Sequence, residues 1–333
     1  MDQSAKLSKP DHSPNTTIMR PSLFDQTLFE DPSSETTEDS ETWTVLQLAA
    51  SHGTLSDITK LLSQGHNPNE PPTGFYGKTA LQIACARGDI PIIQTLLKAG
   101  AEVKAPGGNN GGRTALCVAA SAGNEEVCDL LIEDWGADVN SPPHRYMGRT
   151  PLQAACEGGR LGIVKKMIER GAEFGGKKEK MAHYYGRTAL QAAAEGNHAG
   201  VVRYLLQLLK AREEGTGSEI VEETVNAPPS KYKGFTALQA ASSVGNIEMV
   251  KVLLAHGADV NAPSGHFQGN TALAAAVEKG HEEVVQALLD AGSDVLARSG
   301  NRRQTATEIA VSRGEEKIAQ MLRGHLAGSS RRS

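Results

Sequence analysis

One design recurs eight times along this chain, anchored on Thr44, Thr79, Thr114, Thr150, Thr188, Thr236, Thr271 and Thr305 at intervals of 35, 35, 36, 38, 48, 35 and 34 residues. Self-similarity at this period constrains the fold more than any composition does. A unit of this length cannot bury its own apolar face, so the units must stack and share a continuous core. The anchored segments read TVLQLAASHG, TALQIACARG, TALCVAASAG, TPLQAACEGG, TALQAAAEGN, TALQAASSVG, TALAAAVEKG and TATEIAVSRG.

Each threonine precedes a short helix rich in Ala and Leu, where its hydroxyl is suited to cap the first turn. Nine residues later stands a Gly in seven of the eight segments, the residue that ends a helix in a left-handed turn, and Asn197 takes that place in the fifth. A second helix follows, with apolar residues on one stripe, as in Ile92, Ile93, Leu96 and Leu97 or Met249, Val250, Leu253 and Leu254. Linkers such as NEPPTGFYGKT and NAPPSKYKGFT join the units, with a Gly two residues before the threonine in six of the eight segments, the mark of a hairpin turn.

These motifs closely resemble the ankyrin-repeat family. The T-P-L-H-x-A signature is matched with Gln usually in place of His, and the GADVN ending stands at Gly136–Asn140 and Gly257–Asn261. The resemblance covers residues 41–325, and the long fingers with TALQAA wording are similar to a variant frequent in fungal ankyrin proteins. It implies an all-α solenoid of about eight helix-turn-helix repeats joined by β-hairpin fingers, with a binding groove between fingers and inner helices. It also implies a non-enzymatic scaffold for protein–protein interaction.

Three segments divide the chain: an acidic tail over residues 1–40, the array over 41–326, and a short basic tail over 327–333. Residues 1–40 carry eight acids against three bases, which accounts for the whole formal charge of -5 and leaves 31 acids and 31 bases in the rest. A balanced body offers no basic face for nucleic acid, so direct nucleic-acid binding is not expected. The first twenty residues lack the apolar core of a signal peptide, and no run of eighteen apolar residues could span a bilayer. Four separated cysteines, none in C-x-x-C, suit a reducing compartment. An intracellular chain, cytoplasmic or nuclear and monomeric alone, is expected. The last unit, with Glu308, Glu315, Glu316, Lys317, Gln320 and Arg323, and the first, with Asp57 in its stripe, read as polar end caps. In the long fifth interval the second helix is expected to run on through Leu205, Leu206, Leu208 and Leu209 into a polar stretch, and the insertion at about 208–224 is either a lengthened loop or a binding feature of its own.

Enzyme signatures dissolve on the repeat. GFYGKT at Gly74–Thr79 lacks the leading Gly of a phosphate-binding loop, since Pro72 stands there, and PGGNNGGR lacks G-x-G-x-x-G spacing. There is no H-E-x-x-H and no G-x-S-x-G, and His198 and His281 occupy equivalent repeat positions. Cys85, Cys128 and Cys156 fill slots held elsewhere by Ala, Ser, Val or Ile, whereas Cys117 replaces the signature Gln. No catalytic residue, metal or cofactor is assigned.

Candidate partner-binding residues fall in the fingers. Phe75, Tyr146, Tyr184, Tyr232 and Phe267 each stand four residues before the threonine, with Tyr76 and Tyr185 beside two of them. Such a row is either a stripe of interface anchors or the packing of one finger on the next. Lys78, Arg113, Arg149 and Arg187 directly precede the threonine in four consecutive repeats. At about 10 Å per repeat they would form a basic ridge on the order of 30 Å long. It is either a receptor for an acidic segment or solvated surface. In the tail, Leu23, Phe24, Leu28 and Phe29 alternate with acids, as in activation-type segments or a solubilising leader. The leading expectation is a scaffold that binds a partner protein. The alternative is a transcriptional co-regulator, for example of a biosynthetic gene set, that holds a transcription factor in the groove while the tail recruits machinery.

Overall fold

The computed structural model describes residues 43–329 apart from 73–76, 109–111, 146–147, 177–178, 180–185, 218, 231–233, 264, 266–268 and 301. The helices pair as α1 (Val45–His52) with α2 (Leu55–Ser63), α3 (Ala80–Arg87) with α4 (Ile90–Lys98), and α5 (Ala115–Ala122) with α6 (Glu125–Glu133). They continue as α7 (Pro151–Glu157) with α8 (Leu161–Glu169), and α9 (Ala189–Glu195) with α10 (Ala199–Thr216) and α11 (Ile220–Val225). The last pairs are α12 (Ala237–Val244) with α13 (Ile247–Ala255), α14 (Ala272–Glu278) with α15 (Glu282–Asp290), and α16 (Ala306–Arg313) with α17 (Glu316–Ser329). The array is all-α. The hairpin character of the fingers is represented by the antiparallel bridge between Ser299 and Gln304. Successive fingers also join edgewise, Gly108 N donating to Gly77 O at 2.8 Å and Gly300 N to Gly269 O at 2.9 Å.

All eight anchor threonines cap their helices, each side chain accepting the N–H three residues on. In six repeats the box is reciprocal, because the residue at that third position, Gln in five and Glu308 in the last, accepts the threonine N–H in return. The glutamines are buried, so their remaining amide must also find a partner. Four of them find it in the following connector: Gln47 donates to Pro71 O, Gln82 to Ala105 O, Gln191 to Ala227 O and Gln239 to Ala262 O, at 2.9–3.2 Å. One side chain thus starts the inner helix and ties down the finger.

Helix ends are closed across the repeat boundary. Left-handed residues turn the chain at Gly88, Gly123, Gly159, Asn197, Gly245, Gly280 and Gly314, with φ between 61° and 91°, as the sequence pattern predicts; Gly53, at φ −79°, is the exception. The residue after the turn then reaches back to the C-terminal end of the preceding inner helix. Asn124 donates to Cys85 O (2.9 Å), Arg160 to Ser121 O (3.2 Å), His198 to Glu157 O (3.0 Å) and His281 to Ser243 O (3.1 Å). Carbonyls that a helix cannot satisfy itself are satisfied by its neighbour. His198 and His281 therefore serve the stacking, consistent with their shared place in the repeat.

Between inner and outer helices runs one apolar core. Ile92, Ile93, Leu96 and Leu97 are all buried, as are Met249, Val250 and Leu253, with Leu254 at the margin. Small residues let the inner helices approach, among them Ala84, Ala120, Ala155, Ala193 and Ala241, and Cys85 and Cys156 share that role. At the first repeat only Ile58 of α2 is buried, and Asp57 completes a second capping box with Thr54. That residue serves the helix start as well as the polar end face.

The second helix runs on past Leu209 as expected, but the polar stretch after it is not a lengthened loop. It is helical: α10 continues to Thr216, and α11 buries Val221, Thr224 and Val225 before the chain rejoins the repeat at Asn226. It packs on the preceding connector. Arg212 donates to Phe174 O at 3.3 Å and stacks on that ring at 4.2 Å, and Thr224 Oγ1 accepts Gly176 N at 2.9 Å.

A second clamp joins successive connectors. Asn69 donates to Gly100 O (2.8 Å) and accepts from Glu102 N (2.8 Å), and Asn140, Asn226 and Asn261 repeat the pair of bonds on Gly171 and Glu173, Gly257 and Asp259, and Gly292 and Asp294. Lys104 occupies this slot between the second and third repeats. Lys104→Asn is expected to add the two bonds, to Gly136 O and Asp138 N, and to stabilise the array by about 1 kcal/mol given their exposure. Chemical denaturation of the variant beside Asn69→Ala, which should lose a similar amount, checks this.

Candidate protein-binding groove

The residue before each anchor threonine lies at the start of the inner helix, and the residue seven after the threonine lies at its end. A long side chain at the first position can therefore run along the helix to the second. Arg149 does so toward Glu157 (3.4 Å), Arg187 toward Glu195, and Asn270 toward Glu278 (2.6 Å). Arg113 bonds Ser121 Oγ (3.2 Å) and crosses to Glu157 of the next repeat (2.8 Å). Glu157 is thus shared by arginines of the third and fourth repeats, and farther on Arg313 crosses back to Glu278 (2.5 Å).

The expected basic row is therefore not a strip of uncompensated charge. Arg149 is buried, its side chain 2% exposed, and it also donates to Gly148 O at 3.1 Å. Arg113 and Arg187 keep 21% and 17% of their side chains in contact with solvent, and Lys78 is half-buried. Glu157 and Glu195 were not singled out from the sequence. Their signal is a Glu eight residues after the pre-threonine arginine, at 149/157 and 187/195, with an Asn/Glu version at 270/278.

Electrostatics separate the members. Burial alone would raise the Glu157 carboxyl, but Arg149, Arg113 and Arg187 outweigh it and hold it at about 2. Burial wins at Glu195, whose carboxyl lies above its ordinary value despite Arg187. Arg149 is brought down to about 10 by burial, against the pull of Glu157, and stays charged at neutral pH.

The finger aromatics Phe75, Tyr76, Tyr146, Tyr184, Tyr185, Tyr232 and Phe267, and the tail residues Leu23, Phe24, Leu28 and Phe29, lie outside the described residues. All four cysteines are buried. Burial pushes Cys85 and Cys156 well up, raises Cys117, and lifts Cys128 to about 12, so none is an activated thiolate. Cys117 replaces the glutamine with bonds of its own: its sulfur accepts from Thr114 Oγ1 at 3.2 Å and donates to Arg149 O at 3.3 Å. Among the described residues no group of three or more His, Cys, Asp or Glu is placed to hold a metal ion. No helix there is long and apolar enough to cross a membrane.

Stacked helix pairs, capped by T-x-x-Q and joined by projecting connectors, define a repeat solenoid. The chain belongs to the ankyrin-repeat family: the family described as ankyrin repeats (3 copies) matches it in overlapping windows over residues 22–107, 46–143, 104–178, 136–214, 176–264, 208–299 and 265–330. A search of curated proteins finds none that matches. Ankyrin repeats are generally protein–protein interaction modules, and the family is typically non-enzymatic.

Arg149→Ala leaves Glu157 with one partner fewer and is expected to cost about 2 kcal/mol, below the ~3–5 kcal/mol of a fully buried pair because Glu157 is still partly wet. Arg113→Ala should cost less, and urea titration ranks the two. Glu157 also has a defined acid signature. Its lowered carboxyl contributes stability that is complete above the ordinary value of 4.5 and is lost as pH falls towards about 2. The stability difference between the native chain and Glu157→Gln should shrink over that window in denaturation curves taken at successive pH values.

Proposed function

We propose that the chain is a scaffold that binds a partner protein across its inner helices and fingers. The observation that carries this reading is the mixed-charge row Arg113–Glu157–Arg149–Arg187–Glu195 at the ends of consecutive inner helices. Its outer arginines are partly exposed and held in place by their glutamates, which reduces the entropy lost on docking. Arg149 underpins the row and does not itself present charge. The aromatic residues Phe75, Tyr76, Tyr146, Tyr184, Tyr185, Tyr232 and Phe267 supply anchors of the kind interfaces favour, and Lys78 extends the row by one repeat. The partner suited to this surface carries acidic side chains for Arg113 and Arg187 and an apolar segment for the fingers.

The composition of Pro21–Glu41 favours a narrower version of the same reading. With Leu23, Phe24, Leu28 and Phe29 set among acids, the tail suits recruitment of a second protein while the array holds a transcription factor.

Quantitative affinity capture from native lysate tests both versions. Replacing Tyr146, Tyr184 and Tyr232 together by Ala should deplete the captured partner at least about tenfold, the effect of losing ~1.4 kcal/mol, with the melting temperature little changed. A large fall in melting temperature with capture intact would assign the tyrosines to finger packing. Loss of chromatin factors on deleting residues 1–40 supports the co-regulator; an unchanged set rejects it.

A further inference from the structure

In four repeats the signature glutamine ends on a neutral backbone carbonyl. In the fourth it ends on a carboxylate: Gln153 Nε2 donates to Glu179 Oε1 at 3.2 Å. That oxygen also accepts Ala189 N at 2.5 Å, the first N–H of α9, and the other accepts Gly175 N at 2.9 Å from the turn after α8. One side chain therefore ties the inner helix of the fourth repeat, its closing turn and the inner helix of the fifth. This is also the joint where Gly175 stands in the slot of the clamp asparagine. We infer that Glu179 makes the joint between the fourth and fifth repeats pH-responsive, tighter in mild acid and looser towards neutral pH.

Glu179 is buried, at 9% exposure. The described groups around it offer no compensating charge. From α7 comes the buried Cys156 thiol; from α10, Arg212, which is engaged on Phe174; from α11, Glu223, near Gly176. Lys177, Lys178 and Lys180 adjoin it in sequence and lie outside the described residues. Among the described residues no cation pairs with it. Ionising such a group costs desolvation that three N–H bonds return only in part, and burial accordingly holds the carboxyl above its ordinary value. When the joint opens, Glu179 meets water and regains that ordinary value. A carboxyl raised in the closed state contributes stability that is fully present below the open-state value and is lost as pH rises through the closed-state value. This is opposite in sign to Glu157.

The experiment is hydrogen exchange of the full chain from pH 4.5 to 7.5, corrected for intrinsic rates and read at the Gly175 and Ala189 amides. The amides of Glu102 and Asp259, which bond neutral asparagines, serve as controls. Protection at Gly175 and Ala189 should rise severalfold towards the acid end relative to the controls, and Glu179→Gln should abolish that rise. A profile identical in Glu179→Gln, or protection rising towards neutral pH, would overturn the inference. If that variant fails to fold, carbon NMR titration of the Glu179 carboxyl in the native chain decides. A midpoint above 4.5 supports the inference; one at or below it rejects it.

Discussion

The bond network between a threonine and the glutamine three residues on is what the rest of this architecture depends on. A capping box normally satisfies two donors at a helix start. Here the glutamine is buried and has an amide left over, and that amide fixes the connector that follows. Helix initiation and connector placement thereby become one event in the five units that carry the glutamine. The departures are informative: Cys117 keeps the threonine half of the box and turns its weak donor to Arg149 O, Glu308 keeps the box at the end unit, where a charge can be exposed, and Ala274 keeps only the threonine half.

Charge is distributed on the same lattice. Because position −1 and position +7 of each repeat bracket a helix of seven or eight residues, arginines and glutamates there meet as rows along the array. The row is densest over the third to fifth repeats, where Glu157 serves two arginines. Of the three joints of that region two are held by asparagine, between third and fourth and between fifth and sixth, and the one between them by a carboxylate and the inserted helix. Similar folds at each unit therefore do not imply equal joints.

Much of this was legible in the chain itself. The caps, the left-handed turns including Asn197, the buried stripe of the outer helices and the placement of Cys85 and Cys156 all follow from one residue type recurring in one slot. What escaped notice lay in pairs of slots. Arg149 reads as a surface charge until the Glu eight residues later is set beside it, and the T-V-N-A-P of Thr224–Pro228 matches D-V-N-A-P at Asp259–Pro263 only once the helical insertion has been removed. Glu179 was not legible even so, since nothing in local pattern says that a polar residue of a charged connector will fold inward to replace a carbonyl.

The inserted helices enter and leave the repeat on the outer layer, after α10 has made its core contacts at Leu205, Leu206 and Leu209 and before Asn226 resumes the clamp. The turn at Gly217, between Thr216 and Glu219, is thus a port through which the chain can lengthen without disturbing any inner helix. Sequence can be added or exchanged at that port during evolution, or a reporter domain grafted there, while the inner helices keep their geometry.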